Sequence, residues 1–127
     1  MENQTLRHII QKYIEAYNQF DVDSMLQYMH EDVKFQNISG SNVTLAITGK
    51  TAFREQAELA KTYFTQREQS IKNIQEQGHE VEVTIDYKAI LAVDLSDNLK
   101  AGDTISLQGK SVFIFADNKI IELKDYS

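Results

Sequence analysis

The C-terminal half of this sequence has the pattern of long β-strands joined by short turns, and no other feature constrains the fold as strongly. Between residues 80 and 91 every second residue is apolar, and the residues between them are mainly charged or polar. A strand with one apolar and one polar face is typical of an antiparallel sheet that covers a core on one side. We predict four strands, over residues 66–76, 80–93, 104–116 and 119–126.

The segments between these strands favour tight hairpins. Gly78 and the pair Asp117 and Asn118 stand where the chain must reverse, and Gly, Asn and Asp adopt positive φ most readily. Residues 96–103 form a longer polar loop, and the sequence contains no proline to interrupt a ladder. Near the end of the third strand, Val112 and Ile114 make the second face apolar as well. We expect another subunit to cover that face, which predicts a homodimer through the outer face of the sheet.

The N-terminal half has helical periodicity instead. One apolar stripe predicts a first helix, and it consists of Leu6, Ile9, Ile10, Tyr13, Ile14 and Tyr17. Asp21 is placed to cap a second helix that carries Val22, Met25, Leu26 and Met29 and ends near residues 30–32. Strands over 33–38 and 43–47 follow. Gly49 then marks the turn into a third helix with Phe53, Ala57, Ala60 and Phe64 on its apolar side.

Composition excludes several classes of protein. The chain has 127 residues, which predicts a single domain over residues 1–127, and it lacks cysteine, so no disulfide or thiolate chemistry is available. The formal charge of −6 opposes nucleic-acid binding. No segment is long and apolar enough to cross a membrane, and the N-terminus lacks a secretory pattern, so we expect a cytoplasmic protein with no membrane partner. The three histidines lack metal-ligand spacing, so no metal site is expected.

The order of these elements resembles the nuclear transport factor 2-like superfamily, which includes the SnoaL-like cyclases and the ketosteroid isomerases. The resemblance rests on residues 13–33, on the glycine-marked segment 47–53, and on the last hairpin, 111–115 with 119–126. It implies a cone-shaped α+β domain, in which three N-terminal helices pack on a strongly curved mixed, mainly antiparallel sheet, a cystatin-like α+β roll. It also implies a pocket for a small, largely apolar or partly polar molecule at the open end of the cone, with no cofactor.

The sequence can be compared with that of the ketosteroid isomerases position by position. Those enzymes use a carboxylate base together with a tyrosine and a protonated acid that donate to an enolate oxygen. Tyr13 matches the tyrosine, whereas Asn37 stands at the base position and Ser111 at the acid position. Because an amide cannot abstract a carbon-bound proton, this argues against steroid isomerisation. Tyr13, Asn37 and Ser111 can still hydrogen-bond a polar group, although Tyr13 is equally consistent with core packing.

Asp125 is the acidic residue that strand alternation places with Ile121 and Leu123 on the face lining the cone in relatives. A shielded carboxyl beside Tyr13 has a raised pKa and can act as a general acid or base, as an aspartate does in some SnoaL-like members. The alternative is a solvated residue near a frayed terminus. The expected pocket wall consists of Tyr13, Tyr17, Phe35, Phe53 and Phe113.

Two functions remain open after this comparison. The first is a homodimeric, cofactor-free SnoaL-like protein that binds a small molecule, with isomerase-, cyclase- or hydrolase-type acid–base chemistry through Asp125 and Tyr13. The second is a ligand carrier or a dimerisation module without catalysis. The replacement of the isomerase carboxyl groups by Asn37 and Ser111 favours the second.

Overall fold

The computed structural model describes residues 2–127, with side chains from Leu6 onward. Three helices and six strands follow one another within these residues. Their order is α1 (Glu2–Asn18), α2 (Val22–Gln27), β1 (Met29–Ser39), β2 (Asn42–Thr48), α3 (Lys50–Lys61), β3 (Phe64–Gln77), β4 (Glu80–Leu91), β5 (Thr104–Ala116) and β6 (Lys119–Tyr126).

The six strands form one curved, mixed sheet in the order β2-β1-β6-β5-β4-β3. All neighbouring pairs are antiparallel except β1 and β6, which run parallel. The parallel pair joins the two halves of the chain, because it places the last strand beside the first. The predicted α+β class, with three helices on a mainly antiparallel curved sheet, is confirmed.

The predicted turns are also confirmed. Gly78 has φ of 66°, and Asp117 and Asn118 have φ of 54° and 60°, so both hairpins use the positive-φ residues that the sequence supplies. Gly49 caps α3 with φ of 97°.

The predicted ends of the second and third helices were wrong, and β1 begins at Met29 rather than at residue 33. The second helix ends at Gln27 rather than near residues 30–32, because the fully buried Met29 already pairs with Ile120 of β6. Phe64 was assigned to the third helix, but it begins β3, where it pairs with Leu91. In both places the residue continues the apolar helical pattern of the sequence. A strand contact with a distant part of the chain nevertheless places it in the sheet.

The alternation along β6 also differs from the prediction. The β5–β6 register shifts so that Phe115 opposes Ile120 and Ile114 opposes Glu122, which leaves Ile121 as the extra residue of a bulge. Ile120 and Leu123 are fully buried, whereas Ile121 is half-exposed. The core face of β6 therefore consists of Ile120, Leu123 and Asp125, not Ile121.

Helix α1 lies on the concave face of the sheet and is fixed to edge strand β3 at both ends. Arg7 pairs with Glu76 near one end. At the other end the Asn18 amide replaces a missing strand neighbour: its Oδ1 accepts from the Gln69 N–H at 2.8 Å, and its Nδ2 donates to the Gln69 carbonyl at 3.2 Å. These contacts hold the tyrosines of α1 over the sheet.

The opposite, outer face of the sheet mixes apolar and charged residues. Val112 lies between Glu82 and Lys124 across the strands, and Ile114 lies between Glu80 and Glu122. Val112 is nevertheless only 8% exposed within the single chain, since long neighbouring side chains cover it. Of the helices formed by the described residues, none has the length and apolar character needed to cross a membrane.

Candidate functional site

Asp125 occupies the centre of a row of polar side chains that crosses three strands. It pairs with Asn37 of β1 on one side and with Ser111 of β5 on the other. Residues that are paired across adjacent strands direct their side chains to the same face. The two positions that hold carboxyl groups in ketosteroid isomerases therefore flank Asp125 here.

Asp125 is partly buried, and Ser111 holds its carboxyl in place. The Ser111 hydroxyl, itself buried, donates a hydrogen bond of 2.7 Å to Asp125 Oδ1. Burial raises the pKa of Asp125 to about 6, against the opposing effect of the Ser111 hydrogen bond, which favours the carboxylate. Such a carboxyl exchanges a proton close to neutral pH.

Two tyrosines of α1 lie above this row. Tyr13 is buried, and burial together with the nearby Asp125 charge raises its pKa well above the ordinary value of 10.0. Tyr17 is partly exposed, and its hydroxyl lies 3.1 Å from the Tyr87 hydroxyl of β4. Burial likewise raises the pKa of Tyr17, so both phenols stay protonated and can act as hydrogen-bond donors.

Two cavities meet at Asp125 and Tyr17. The first, here called the inner chamber, has a volume of about 120 Å³. It is lined by Tyr13, Tyr17, Met25, Phe35, Asn37, Phe53, Gln56, Ala57, Ala60, Arg67 and Asp125. The second, the outer chamber, has about 200 Å³ and reaches the surface beside Leu107 and Tyr126. Ser111 and Tyr87 belong to its wall.

Aromatic side chains form much of the inner chamber. The Phe35 and Phe53 rings meet edge to face, with centroids 5.3 Å apart. Phe113, which the sequence assigned to the wall, does not line either chamber. It is 1% exposed and packs behind Tyr13, with ring centroids 5.8 Å apart, so it supports the wall from the core.

Arg67 is a site residue that the sequence interpretation missed. It is only 5% exposed and lines the inner chamber. Its Nε–H donates to the Tyr17 carbonyl at 2.8 Å, and its Cζ lies 3.7 Å from the Tyr17 ring centroid. The sequence did contain a signal for this position. Arg67 and the half-buried Ile71 are separated by two full periods of strand alternation on β3, so both side chains lie on the core face.

A larger groove, of about 500 Å³, lies on another side of Arg67 along Phe20, Glu68, Lys88 and Thr104. It contains neither Asp125 nor a residue paired with it. The chambers, in contrast, combine apolar walls with a shielded acid, phenol donors and a buried cation. That combination can bind a small apolar molecule and move a proton on it.

Comparison with known proteins identifies similar sequences and structures. A family model described as the SnoaL-like domain matches residues 10–123. A search of curated proteins by sequence finds no significant match.

Several solved structures share the fold. A proposed polyketide cyclase from Xanthomonas campestris pv. campestris superposes with a TM-score of 0.80 and 21% identity, covering 100% of this chain and 93% of the other. A proposed SnoaL-like polyketide cyclase from Jannaschia sp. CCS1 has a TM-score of 0.79 and 15% identity, and the match covers 96% of this chain and 84% of the other. An LEH-like epoxide hydrolase from M. tuberculosis has a TM-score of 0.77 and 16% identity, and the match covers 97% of this chain and 82% of the other. At these identities the similarity establishes the fold.

Proposed function

The chain belongs to the SnoaL-like domain family, and we propose that it binds a small, largely apolar molecule at Asp125 and transfers a proton to or from it. Asp125 is the general acid or base of this proposal. The observation that carries it is the position of the partly buried Asp125 carboxyl, which Ser111 holds at 2.7 Å where the two chambers meet; burial raises its pKa to about 6. A group of this acidity is present in both protonation states near neutral pH, as proton transfer requires.

The neighbouring groups have complementary roles in this proposal. Ser111 fixes the carboxyl orientation through its 2.7 Å hydrogen bond. Tyr13, whose raised pKa keeps it protonated, donates to an oxygen on which negative charge develops. Asn37 offers an amide beside Asp125 for a second polar contact. With an amide at position 37 and a hydroxyl at position 111, the proton-transfer role falls to Asp125 and not to the isomerase positions.

The chambers limit the size of the ligand. Their volumes are about 120 and 200 Å³, and a water molecule takes up roughly 30 Å³ of the liquid. Together they hold roughly ten water molecules. A molecule of one or two rings fits this space, with its ring against Phe35 and Phe53 in the inner chamber and its remaining part towards Leu107.

Relatives of the same fold are named as proposed polyketide cyclases and as an epoxide hydrolase. We propose chemistry of the isomerase, cyclase or hydrolase type for this chain, in which a side-chain acid or base acts without a cofactor. The alternative is a ligand carrier that uses the same chambers and does not depend on the acidity of Asp125.

A probe reaction separates these two functions. The substrate 5-nitrobenzisoxazole is a flat, two-ring compound. A base removes its ring C–H proton, the N–O bond breaks, and a coloured phenolate is released. At pH about 8, where Asp125 is ionised, we expect the wild-type protein to accelerate this reaction. The Asp125→Asn variant should lose the acceleration by at least about a hundredfold, which is typical of removing a general base.

The matched control is Asp86→Asn. Asp86 lies on the outer face of β4, where it contacts Lys72 and Gln108, and its side chain is 40% exposed. This variant should keep wild-type turnover. Equal turnover in the wild type and in both variants would contradict the acid–base role, and the carrier function would then be favoured.

The homodimer is part of the same proposal. The helices cover the concave face, which leaves the outer face free. There the partly exposed Ile114 lies among rows of paired charges, including Lys110 with Glu82 at 3.8 Å. An apolar centre with a charged rim is typical of a protein–protein interface.

A further inference from the structure

Arg67 is a buried cation on β3, in the wall of the inner chamber. Its side chain is 5% exposed, and among the described side chains no carboxylate forms a salt bridge with it. A guanidinium stays charged at any relevant pH, and burying a charge without a partner is costly. A cation in this state is able to receive an anionic group of a ligand.

The contacts that Arg67 makes with the described residues leave the two N–H groups of Nη2 unused. Of its five N–H groups, the Nε–H donates to the Tyr17 carbonyl at 2.8 Å, and Nη2 is buried with no hydrogen-bond partner among the described residues. The rings of Tyr17 and Phe20 lie 3.7 and 4.5 Å from Cζ. These cation–π contacts stabilise the charge but provide no oxygen acceptor.

The local backbone holds this arrangement in place. Phe20 has φ of 61°, a conformation that bulky residues rarely adopt. The turn between α1 and α2 thereby keeps the Phe20 ring against the guanidinium. Fixed by Tyr17 and Phe20, the Arg67 side chain presents its donors in one orientation, as a preorganised binding group does.

We propose that Arg67 is the recognition group for a carboxylate on the ligand, and that the ligand is a ring-sized aromatic acid whose ring occupies the inner chamber. This inference rests on the proposed small-molecule site and adds the chemical class of the ligand. A planar carboxylate accepts two parallel hydrogen bonds from a guanidinium, a geometry that a neutral carbonyl compound does not reproduce.

The inner chamber suits the body of such an acid. Its volume is about 120 Å³, and it meets the outer chamber of about 200 Å³ at Asp125 and Tyr17. The joined space exceeds the roughly 150 Å³ of an apolar cavity known to hold benzene. Phe35, Phe53 and Met25 provide apolar contact for the ring, and Arg67 belongs to the same wall. The chamber and the cation therefore match the two ends of a benzoate-like molecule.

The test compares 4-fluorobenzoate with its neutral isostere 4-fluorobenzamide, by ¹⁹F NMR titration of the folded wild-type protein. At pH about 5.5 benzoate is ionised while Asp125, with its pKa raised to about 6, is mostly protonated and repels it little. We expect benzoate to bind at least about tenfold more tightly, the ratio typical of a charge-assisted hydrogen bond. Equal or tighter binding of the benzamide overturns the proposal without any variant.

Variants then locate the binding group. Arg67→Gln should abolish the preference for benzoate, and Arg67→Lys, which keeps the charge but not the planar fork, should retain part of it. Ala60→Leu fills the inner chamber and should abolish binding, whereas Thr104→Leu, with the same side chain in the larger groove, should not. Loss of binding in Thr104→Leu but not in Ala60→Leu would overturn the assignment to the inner chamber.

The benzoate titration and the probe reaction test carboxylate recognition and proton transfer separately. Preference for benzoate without turnover of the probe substrate supports carboxylate recognition and rejects proton transfer. Turnover that depends on Asp125, without a preference for benzoate, rejects carboxylate recognition and leaves the acid–base role intact.

Discussion

Replacing Asp125 by asparagine should change the stability of the protein in a way that depends on pH. The ordinary pKa of an aspartic acid side chain is 3.8, and burial raises that of Asp125 to about 6. The folded protein therefore binds more protons than the unfolded chain between these two values. Stability falls as the pH rises through this window, because the folded state must then hold a shielded carboxylate.

The size of the effect follows from the two pKa values. A difference of roughly two pKa units corresponds to about 3 kcal/mol at full ionisation. Between pH about 4 and pH about 8, the ionisation of this residue lowers the free energy of unfolding by roughly 2.5 kcal/mol. Asparagine does not ionise, so the variant lacks this loss. From pH about 4 to pH about 8, the free energy of unfolding of Asp125→Asn should therefore rise by roughly 2.5 kcal/mol relative to that of the wild type. This corresponds to about 10 °C in Tm for a domain of this size.

Urea unfolding at the two pH values, followed by circular dichroism, measures this difference. Comparing each variant with the wild type at the same pH removes the contribution of all other titrating groups. Asp86→Asn is the matched control and should show no comparable trend, since its carboxyl is exposed on the outer face. A stability difference between Asp125→Asn and the wild type that stays constant from pH 4 to pH 8, within roughly 0.5 kcal/mol, would refute the argument that Asp125 is shielded.

Three further changes test other parts of the account. Ser111→Ala removes the hydrogen bond that favours the Asp125 carboxylate, so it should raise the pKa of Asp125 further, by roughly one unit, as measured by NMR titration; an unchanged or lower pKa would contradict this. Gly109→Ala brings a Cβ to 2.7 Å from the Tyr126 carbonyl oxygen and should lower the free energy of unfolding by at least about 1 kcal/mol in urea titrations; wild-type stability would count against the close approach of β5 and β6. Ile114→Glu places a third carboxylate between Glu80 and Glu122, and should convert the proposed dimer to a monomer in sedimentation velocity; a wild-type mass profile would argue against the outer face as the interface.

The fold could be predicted from the sequence where local pattern and tertiary contacts agree. The alternation along β4 and the positive-φ residues at Gly78 and Asp117 gave the hairpins correctly, since both signals are local. The start of β1 at Met29 depends on parallel pairing with β6, some ninety residues later, and the bulge at Ile121 depends on the register of β5. Neither has a signal within its own segment.

The candidate site was only partly predictable. The structure brings Tyr13, Asn37, Ser111 and Asp125 into one region, because each occupies a fixed place relative to the strands and helices of the fold. Their roles in binding or catalysis stay predictions. Arg67 was missed because its charge favours a surface position in any single-sequence interpretation. Its burial is created by the Tyr17 carbonyl and the Tyr17 and Phe20 rings, all about fifty residues away in the chain.

The most direct test of the central claim is a ¹³C NMR titration of the Asp125 carboxyl in protein labelled at the aspartate side chains. The Asp125→Asn spectrum assigns the resonance. A midpoint at about 6, shifted when a bound aromatic acid occupies the chamber, is the result predicted for a shielded acid–base group in a ligand site. A midpoint close to the ordinary value of 3.8, insensitive to the ligand, would show a solvated surface carboxylate and contradict the proposed function.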